Sequence, residues 1–279
     1  MSIVGWKNYK NAVIPSTPPH INPDITPIEN GTVWKMETKP HFARWTTDFD
    51  CGYETEWWYC IKDTPLDIDA LSSKRRYEIN KGKRNFEVKK INPAEYWEEI
   101  YEATMQAYSD RPNNGTVDIN KETFKERVEK WQAPIVIIAA FSREDGKLSG
   151  FAFLIEYDSF VDFSMLRVIP SCEKFAVNAA IVDGILDYYK ERLSNNDGFY
   201  INDGARNILH QTAFQNYLEK YFCFRKAYCH LHIKYRKNIG IIINLLMPFR
   251  KVLYKLQKIE LIRKITGMLK MEEISRTFK

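Results

Sequence analysis

The sequence SMLRVIPSCEKFAVNAAIVDGILDYYK, residues 164–190, decides the fold of this chain. It predicts a strand, a short loop and a long amphipathic helix that starts near Phe175. The apolar residues of the helix recur at spacings of three and four, the period of one helical face: Ala176, Ala179, Ala180, Val182, Ile185, Leu186 and Tyr189. A loop that leads into a helix start presents unpaired backbone N–H groups, so it can hold a phosphorylated ligand. An ordinary strand-to-helix connection has the same pattern.

The segments on either side alternate between strands and helices from residue 85 to residue 235. We predict strands at 85–91, 135–141, 148–157, 161–169, 198–204 and 224–235, and further helices at 93–109, 120–132 and 211–221. The order is therefore β-α-α-β-β-β-α-β-α-β. Asp145–Gly146 is a strong hairpin signal, and Asn120 with Thr123 offers a helix cap.

The composition describes a folded globular protein. The chain has 279 residues, of which 44% are hydrophobic and 28% are charged, and its net charge is +5. This length supplies the core of one large domain or two small ones. The five cysteines form an odd set without a CxxC pair, which argues against a disulfide framework and a zinc site. No secretory signal is visible, so we expect a reducing, cytoplasmic setting.

Two segments precede the alternating part. Residues 1–29 hold five prolines, which remove backbone donors and fix φ, so we predict an extended arm without a core of its own. Residues 30–70 are rich in aromatic residues and predict a small antiparallel sheet with the strands TVWKMETK, HFARWTTDF and ETEWWYCIKD. In this sheet Trp57 and Trp58 are either a stacking platform for a ligand or one core and one rim residue.

Two segments are strongly basic. Residues 71–91 carry eight Lys or Arg against two Glu, so they hold phosphate groups or form a solvated face. In the tail, residues 239–249 are apolar except for Asn244, and apolar and basic residues then alternate at helical spacing up to Lys270. Such a basic amphipathic helix either lies on anionic lipid or docks on the domain or a second copy.

Polar residues gather at and beyond the end of the strand 198–204. Asn202 and Asp203 end this strand, Arg206 follows, and His210 opens the next helix. Asp203 is a candidate base and Asn202 a candidate hydrogen-bond partner for a substrate, although Asn-Asp-Gly is also an ordinary turn. Tyr217 is a candidate acid for a leaving thiolate, or else a core residue.

Three other side chains have the chemistry of a nucleophile or of metal ligands. Cys172 lies at the predicted helix start, which makes an acyl-cysteine intermediate conceivable, but no Cys-His-Asn spacing supports it. His230 and His232 alternate along a strand and so share one face. No acidic third ligand is near them in sequence, and we expect a structural or surface role and no metal.

The order of elements over residues 71–236 resembles that of the GCN5-related N-acetyltransferase (GNAT) superfamily. The resemblance implies that the strand ending at Ile169 parts from the strand ending near Asp203, and that acyl-CoA inserts between them. The pyrophosphate loop of the family would fall on residues 168–177, where VIPSCEKFAV contains no glycine. The segment FQNYLEKYFCFRK resembles the family's Y-x-x-x-G-F ending, with Tyr217 near its tyrosine. The implied donor-binding residues are Val168, Ile169, Ser171, Cys172, Lys174 and Phe175.

The stretches WWYCIKD, LSSKRRYEINKG and TAFQNYLEKYFCFRKAYCHLHIKY resemble the FemAB-like branch, whose members transfer aminoacyl or acyl groups in cell-wall and surface-polysaccharide assembly. The implied fold is α+β: a GNAT-like central mixed sheet flanked by helices, with an N-terminal antiparallel β extension and a C-terminal basic amphipathic helix. The implied segments are 1–29, 30–70, 71–237 and 238–279.

The implied activity is the transfer of an acyl group from acyl-CoA, such as acetyl-CoA, or of an aminoacyl group from aminoacyl-tRNA. The acceptor would be an amino sugar or a lipid-linked glycan, and the protein would be cytoplasmic, at the inner face of the membrane. No other nucleic acid is expected, because no RNP-type or zinc-finger pattern is present. The missing glycines favour an alternative, a catalytically inactive protein of the same fold that acts as a membrane-associated binding or scaffold protein.

Overall fold

The structure, a computed structural model, describes residues 3–9, 11–109, 119–195, 197–208, 213–257 and 259–278. In these residues the strands are β1 (Trp6–Tyr9), β2 (Ala12–Pro15), β3 (Phe42–Thr47), β4 (Trp57–Lys62), β5 (Phe86–Ile91), β6 (Ile135–Ser142), β7 (Leu148–Glu156), β8 (Phe160–Val168), β9 (Tyr200–Ala205) and β10 (Arg225–Tyr235). The helices are α1 (Thr26–Glu29), α2 (Ser73–Asn85), α3 (Trp97–Ser109), α4 (Lys121–Glu129), α5 (Val177–Tyr188), α6 (Lys190–Ser194), α7 (Ala213–Phe222), α8 (Lys237–Leu246), α9 (Arg250–Lys255) and α10 (Glu260–Arg276). Turns of 3-10 helix span Thr32–Lys35, Pro170–Phe175 and Met247–Phe249.

The alternation predicted for residues 85–235 is confirmed. The elements β5, α3, α4, β6, β7, β8, α5, β9, α7 and β10 follow in the predicted order, with the short helix α6 added after α5. Asn120 caps α4, because its side-chain oxygen accepts a hydrogen bond from the amide of Thr123 at 2.9 Å. Gly146, with φ 71°, lies in the turn between β6 and β7. The chain has a mixed α+β fold.

Contacts between residues divide the chain into two compact units. Unit 1 comprises Met1–Cys60, Ala205–Phe214 and Lys226–Lys279, and unit 2 comprises Ile61–Gly204 and Gln215–Arg225. Unit 1 therefore draws on both ends of the chain. The division into four consecutive segments stays a prediction of the sequence.

The sheet of unit 2 is mostly antiparallel and has helices on both faces. Its strand order is β9-β8-β7-β6-β5, in which only the β8–β9 pair is parallel. On one face Ile137 of β6 is buried with Ile100 of α3 and Phe124 of α4. On the other face α5 lies against the sheet, with Gly184 in contact with Val88 of β5. Side chains alternate along a strand, so the two faces are covered by different helices.

Helix α2 approaches the first turn of α5 closely, at Gly82. A Cβ atom at residue 82 would lie 2.8 Å from the carbonyl oxygen of Ala176 and 2.8 Å from the amide nitrogen of Ala180. Because both are backbone atoms, no side-chain rotation can relieve the contact. Glycine at this position lets α2 cover the start of α5.

We expect Gly82→Ala to lower the free energy of unfolding by about 1–3 kcal/mol, as overpacking of a core does. Gly240→Ala is the matched control, because Gly240 also lies in a helix but a new Cβ there would meet Tyr235 at an ordinary 3.4 Å. The control should be neutral or stabilise by up to about 1 kcal/mol through helix propensity. Urea denaturation measures both variants, and equal effects would contradict the close approach of α2.

Unit 1 contains strands from both ends of the chain. β1 pairs with β2 antiparallel, β2 with β3 parallel, and β3 with β10 antiparallel. The three strands predicted within residues 30–70 are therefore corrected in two respects. Thr32–Lys35 is a 3-10 turn and not a strand, and the antiparallel neighbour of β3 is the distant β10. Local sequence patterns carry no information about a partner so far along the chain.

The proline-rich segment has a core, contrary to the prediction for residues 1–29. Trp6, Val13 and Ile28 are buried in one cluster with Val33. The indole N–H of Trp6 donates a hydrogen bond to the carbonyl oxygen of Asp24 at 3.0 Å. The prolines interrupt regular elements, but the apolar residues between them still pack together.

Trp57 and Trp58 form no exposed platform, and neither is a rim residue. They are 1% and 8% exposed. The guanidinium of Arg44 lies 5.3 Å from the Trp57 ring centroid, and the ammonium of Lys226 lies 5.0 Å from that of Trp58. Both indoles belong to the interior of unit 1.

The predicted C-terminal helix is divided into α8, a 3-10 turn, α9 and α10. Its apolar residues are partly buried, with Ile243, Met247 and Leu269 in one cluster and Ile274 packed with Trp57 in another. Within the described residues, no helix combines the length and apolarity needed to cross a bilayer. The five cysteines are unbridged.

Candidate active site

Strands β8 and β9 run side by side for three residue pairs and then part. The parallel pairs are Phe160–Tyr200, Val161–Ile201 and Asp162–Asn202. Beyond Asp162, β8 continues to Val168 in antiparallel pairing with β7, whose Gly150 is opposite Val168. The parting that the resemblance implied is therefore present, and it opens at Asp162 and Asn202.

A β-bulge on β8 gives the physical reason for the parting. In the β7–β8 ladder Phe153 is opposite Met165, but Leu154 is opposite Phe163, so Ser164 is an extra residue on β8. A bulge bends its strand and increases the local twist. Because the bulge follows directly after the last pair with β9, it turns the rest of β8 away from that strand.

Five polar residues lie where the strands part: Asp162 and Ser164 of β8, Asn202 and Asp203 of β9, and Gln215 of α7. Asp162 is the register partner of Asn202, and its carboxylate accepts a hydrogen bond from the Ser164 hydroxyl at 3.0 Å. Asp203 follows on β9, and Gln215 of α7 reaches the same strand by donating to the carbonyl oxygen of Gly204 at 3.3 Å. Asn202 and Asp203 were predicted from the sequence, but Asp162, Ser164 and Gln215 were not, because polar residues also occur elsewhere in β8 and α7.

The electrostatics of this cluster suit a general base. Burial raises the pKa of the Asp203 carboxyl to about 7, a hydrogen bond from Gln215 opposes the increase, and the negative charge of Asp162 adds to it. A carboxyl group with a pKa near the working pH is half ionised there and can both accept and return a proton. Asp203 therefore has the ionisation expected of a proton acceptor.

Asn202 is buried and its side-chain oxygen is engaged. This oxygen accepts a hydrogen bond from the amide of Gly204 at 2.9 Å, and the residue is 5% exposed. Gly204 itself has φ 97°. Asn202 thus fixes the turn that ends β9, as an ordinary Asn-Asp-Gly sequence does, and substrate binding by this residue stays a prediction.

The loop between β8 and α5 is a 3-10 turn, Pro170–Phe175, and α5 begins at Val177, two residues after the predicted start. Ala176 joins the two with φ 67°, a left-handed conformation that normally favours glycine. No side chain caps the N-terminus of α5. The residue before α5 therefore has a backbone conformation typical of glycine, although the loop contains no glycine.

Two of the predicted donor-binding residues already use their backbone amides. The amide of Ile169 donates to Ser149, and the amide of Cys172 donates to Ile169. Ile169 and Val168 are half-buried, and Ile169 packs against the core cluster under α3. If the amides of Ile169 and Cys172 were to bind a ligand, these two internal hydrogen bonds would have to break.

The exposed residues of the loop are better placed to contact a ligand. Ser171, Lys174 and Phe175 are exposed to solvent, with Phe175 42% exposed. The ammonium of Lys174 lies 4.9 Å from the Phe175 ring centroid. A cation beside an exposed aromatic ring suits a ligand that carries both phosphate and an apolar part.

Tyr217 does not join the cluster around Asp203. It lies two residues after Gln215 on α7, which turns its side chain roughly 200° away from that of Gln215. Its ring packs against Tyr221 at 4.9 Å and Phe222 at 5.8 Å. Burial raises the pKa of its phenol well above the usual range, and the charge of Glu78 adds to this.

The remaining predicted site residues serve other contacts or lie elsewhere. Arg206 donates to the carbonyl oxygen of Glu56 at 2.6 Å, and His210 lies outside the described residues. Cys172 lies in the 3-10 turn and not at the first turn of α5. It is therefore not placed where a helix end would activate a thiol.

The two histidines of β10 are engaged within unit 1. His230 lies 2.9 Å from the Asp48 carboxylate and 2.6 Å from the Tyr53 hydroxyl, and His232 lies 2.8 Å from the Thr47 hydroxyl. In the part of the chain that the structure describes, no three His, Cys, Asp or Glu side chains form a group that could hold a metal.

Part of the basic run at residues 71–91 has partners inside the protein. Lys83 of α2 forms an ion pair with Asp183 of α5 at 3.1 Å. The ammonium of Lys89 lies 4.7 Å from the ring centroid of Phe141. Lys83 and Lys89 therefore have partners within the protein, and phosphate binding by the rest of the run stays a prediction.

Known structures are similar to this chain at low sequence identity. L-PGS from Bacillus licheniformis is similar over 84% of this chain and 80% of that chain, with 14% identity and a TM-score of 0.50. FemX is similar over 78% and 77%, with 10% identity and a TM-score of 0.51. A GCN5-related N-acetyltransferase from Sphaerobacter thermophilus is similar over 82% and 75%, with 12% identity and a TM-score of 0.42. No family model and no curated protein matches the chain.

Proposed function

We propose that this protein is an acyl- or aminoacyltransferase that uses the gap between β8 and β9 as its active site. The donor is acyl-CoA or a related activated acyl or aminoacyl compound, and the acceptor is an amino sugar or a lipid-linked glycan. The observation that carries the proposal is the parting of the two strands at Asp162 and Asn202, with Asp203 beside it. The fold shared with FemX and L-PGS supports the same class of reaction.

The proposed mechanism assigns Asp203 as the base. The acceptor amine or hydroxyl loses a proton to the Asp203 carboxylate while its nitrogen or oxygen attacks the carbonyl carbon of the donor. The tetrahedral intermediate then expels the donor's sulfur or oxygen, which takes up the proton that Asp203 accepted, so that the carboxylate is restored. Holding both reactants at one strand edge provides the proximity that such a transfer needs. Tyr217 receives no role in this mechanism, because the helical period places its side chain on a different side of α7 from Gln215.

Donor binding is proposed to involve the exposed part of the 3-10 turn. Lys174 would attract the donor's phosphates, and Phe175 would pack against its apolar part. Because the amides of Ile169 and Cys172 are engaged, side chains would contribute more here than in a glycine-rich loop. This arrangement fits the sequence VIPSCEKFAV, which has no glycine.

A thermal-shift titration with CoA, acyl-CoAs, aminoacyl-tRNA and nucleotide sugars tests the proposal. A ligand at 100 times its Kd stabilises a protein by about 2.7 kcal/mol, so a true donor should raise Tm measurably. Lys174→Glu should weaken donor binding several-fold, whereas Lys130→Glu, at an exposed position of unit 2, should not. If no donor class stabilises the protein, the fold serves binding or scaffolding and the transferase proposal is wrong.

A further inference from the structure

The helical segment that follows β10 is apolar on two sides. α8, the turn Met247–Phe249 and α9 follow one another without an intervening residue. On one side Ile243 and Met247 are buried against Leu269 of α10. A helix that is apolar on all sides is normally buried on all sides. Here the protein buries only the side that carries Ile243 and Met247.

The uncovered side forms a continuous apolar face. Five of its residues, all exposed, recur at spacings of three and four along α8, the 3-10 turn, α9 and the residue after it: Ile241, Leu245, Phe249, Val252 and Leu256. Leu245 is 67% exposed and Phe249 is 62% exposed. We refer to these five residues as the apolar face.

Exposed apolar residues are concentrated in this part of the protein. Of the sixteen large hydrophobic residues that are exposed in the described chain, eight lie between Ile241 and Leu261. Five of the other eight are tyrosines, whose hydroxyl groups tolerate water. Single exposed apolar residues are normal, but a contiguous patch marks an interaction surface.

Two lysines of α9, next to the apolar face in the sequence, have no acidic partner among the described residues. Lys251 and Lys255 of α9 are exposed, and no carboxylate of the described residues forms an ion pair with either. Arg250, by contrast, is paired with Glu273 at 3.1 Å. The only acid between residues 237 and 271 is Glu260, which is paired with Lys264 at 2.8 Å.

We propose that the apolar face and its lysines dock on the surface of a membrane that contains anionic lipid. An anionic bilayer matches both features. Its acyl chains can accommodate the apolar face, and its negatively charged headgroups can attract the lysines. A second copy of this chain would bring the same lysines against one another, which disfavours self-association. The proposal is independent of the transferase proposal, because it concerns unit 1 and needs no chemistry.

Vesicle co-sedimentation of the full chain tests this docking. We expect binding to vesicles of phosphatidylcholine with 30% phosphatidylglycerol, and at least tenfold weaker binding to pure phosphatidylcholine. The double variant Leu245→Asp/Phe249→Asp should weaken binding more than tenfold. Lys251→Gln/Lys255→Gln should weaken it roughly 10- to 30-fold at low salt, since each lysine near an anionic surface contributes about 1 kcal/mol.

Point variants are preferable to truncation, because removal of residues 239–279 would also remove the buried Leu269 and Ile274.

The matched controls use exposed residues elsewhere in unit 1. Val4→Asp/Ile21→Asp introduces the same charges at exposed apolar positions, and Lys7→Gln/Lys35→Gln removes two exposed lysines. Both controls should bind anionic vesicles like the wild type, and circular dichroism should show that all variants are folded. The proposal is overturned if the wild type stays in the supernatant or binds both vesicle types equally. It is also overturned if analytical ultracentrifugation shows a dimer that Leu245→Asp/Phe249→Asp dissociates.

Discussion

Replacing Asp203 with asparagine should stabilise the protein above neutral pH and abolish acyl transfer. The catalytic loss follows from its proposed role, because removal of a general base typically costs about 10²- to 10⁴-fold in rate. The gain in stability follows from its burial, which raises the pKa of the Asp203 carboxyl from 3.8 to about 7. If the ionised carboxylate instead stabilised the fold, its replacement by asparagine would lower the free energy of unfolding.

The direction of the pH effect can be derived from the two protonation states. The folded protein binds the proton more tightly than the unfolded chain, so the contribution of Asp203 to stability is complete below pH 3.8 and is lost as pH rises through about 7. Asparagine carries no charge at any pH and suffers no such loss. At pH 8 the variant should exceed the wild type by roughly 2–4 kcal/mol in free energy of unfolding, and at pH 3.5 the two should be nearly equal.

Urea denaturation at both pH values, together with the pH profile of kcat/KM, measures these effects. The wild-type rate should rise with pH and reach a plateau above about 7, as Asp203 ionises. Asp158→Asn, at an exposed aspartate in the turn between β7 and β8, should alter neither property. Wild-type activity in Asp203→Asn would place the base elsewhere, and a stability difference that does not depend on pH would contradict the burial of the carboxyl.

Replacing Leu269 with alanine should lower the free energy of unfolding by about 2–5 kcal/mol. Leu269 of α10 is 0% exposed and packs with Ile243 and Met247 of the preceding helical segment. The loss is large against the stability of a typical domain, about 5–15 kcal/mol. It would show that α10 is an integral part of unit 1 and not a detachable tail.

Leu261→Ala is the control for this prediction, because Leu261 lies on the same helix and is 67% exposed. Its effect should stay within about 0.5 kcal/mol. Guanidinium denaturation followed by tryptophan fluorescence would report both variants. A similar, small effect of the two substitutions would mean that α10 is not packed as the structure shows.

The order of elements in unit 2 was predictable from the sequence because it rests on local patterns. The apolar spacing of α5, the hairpin signal at Asp145–Gly146 and the cap at Asn120 each lie within a few residues of the structure that they specify. The 3-10 turn Thr32–Lys35 was mistaken for a strand because its TVWK sequence has strong β propensity. Tertiary context overrides such a propensity.

The site was only partly predictable because it is assembled from distant segments. Asp203 could be identified, since polar residues at a strand end stand out in a sequence. Asp162 and Gln215 could not, because their proximity depends on strand pairing and on the direction of α7. The direction of Tyr217 has the same origin: it lies near Gln215 in the sequence, but the helical period turns it to another side of α7. Its role as an acid stays a prediction.

The discontinuous composition of unit 1 has a consequence for the newly made protein. Trp57 is buried together with Cys229 and Ile274, which leave the ribosome more than 170 residues later. At about 5–20 residues per second, this wait lasts roughly 10 to 40 seconds. Residues 61–204 are consecutive, so most of unit 2 can fold during synthesis while Trp57 still lacks these partners. During that interval the exposed indole is a target for chaperones, and we expect the yield of native protein to depend on them.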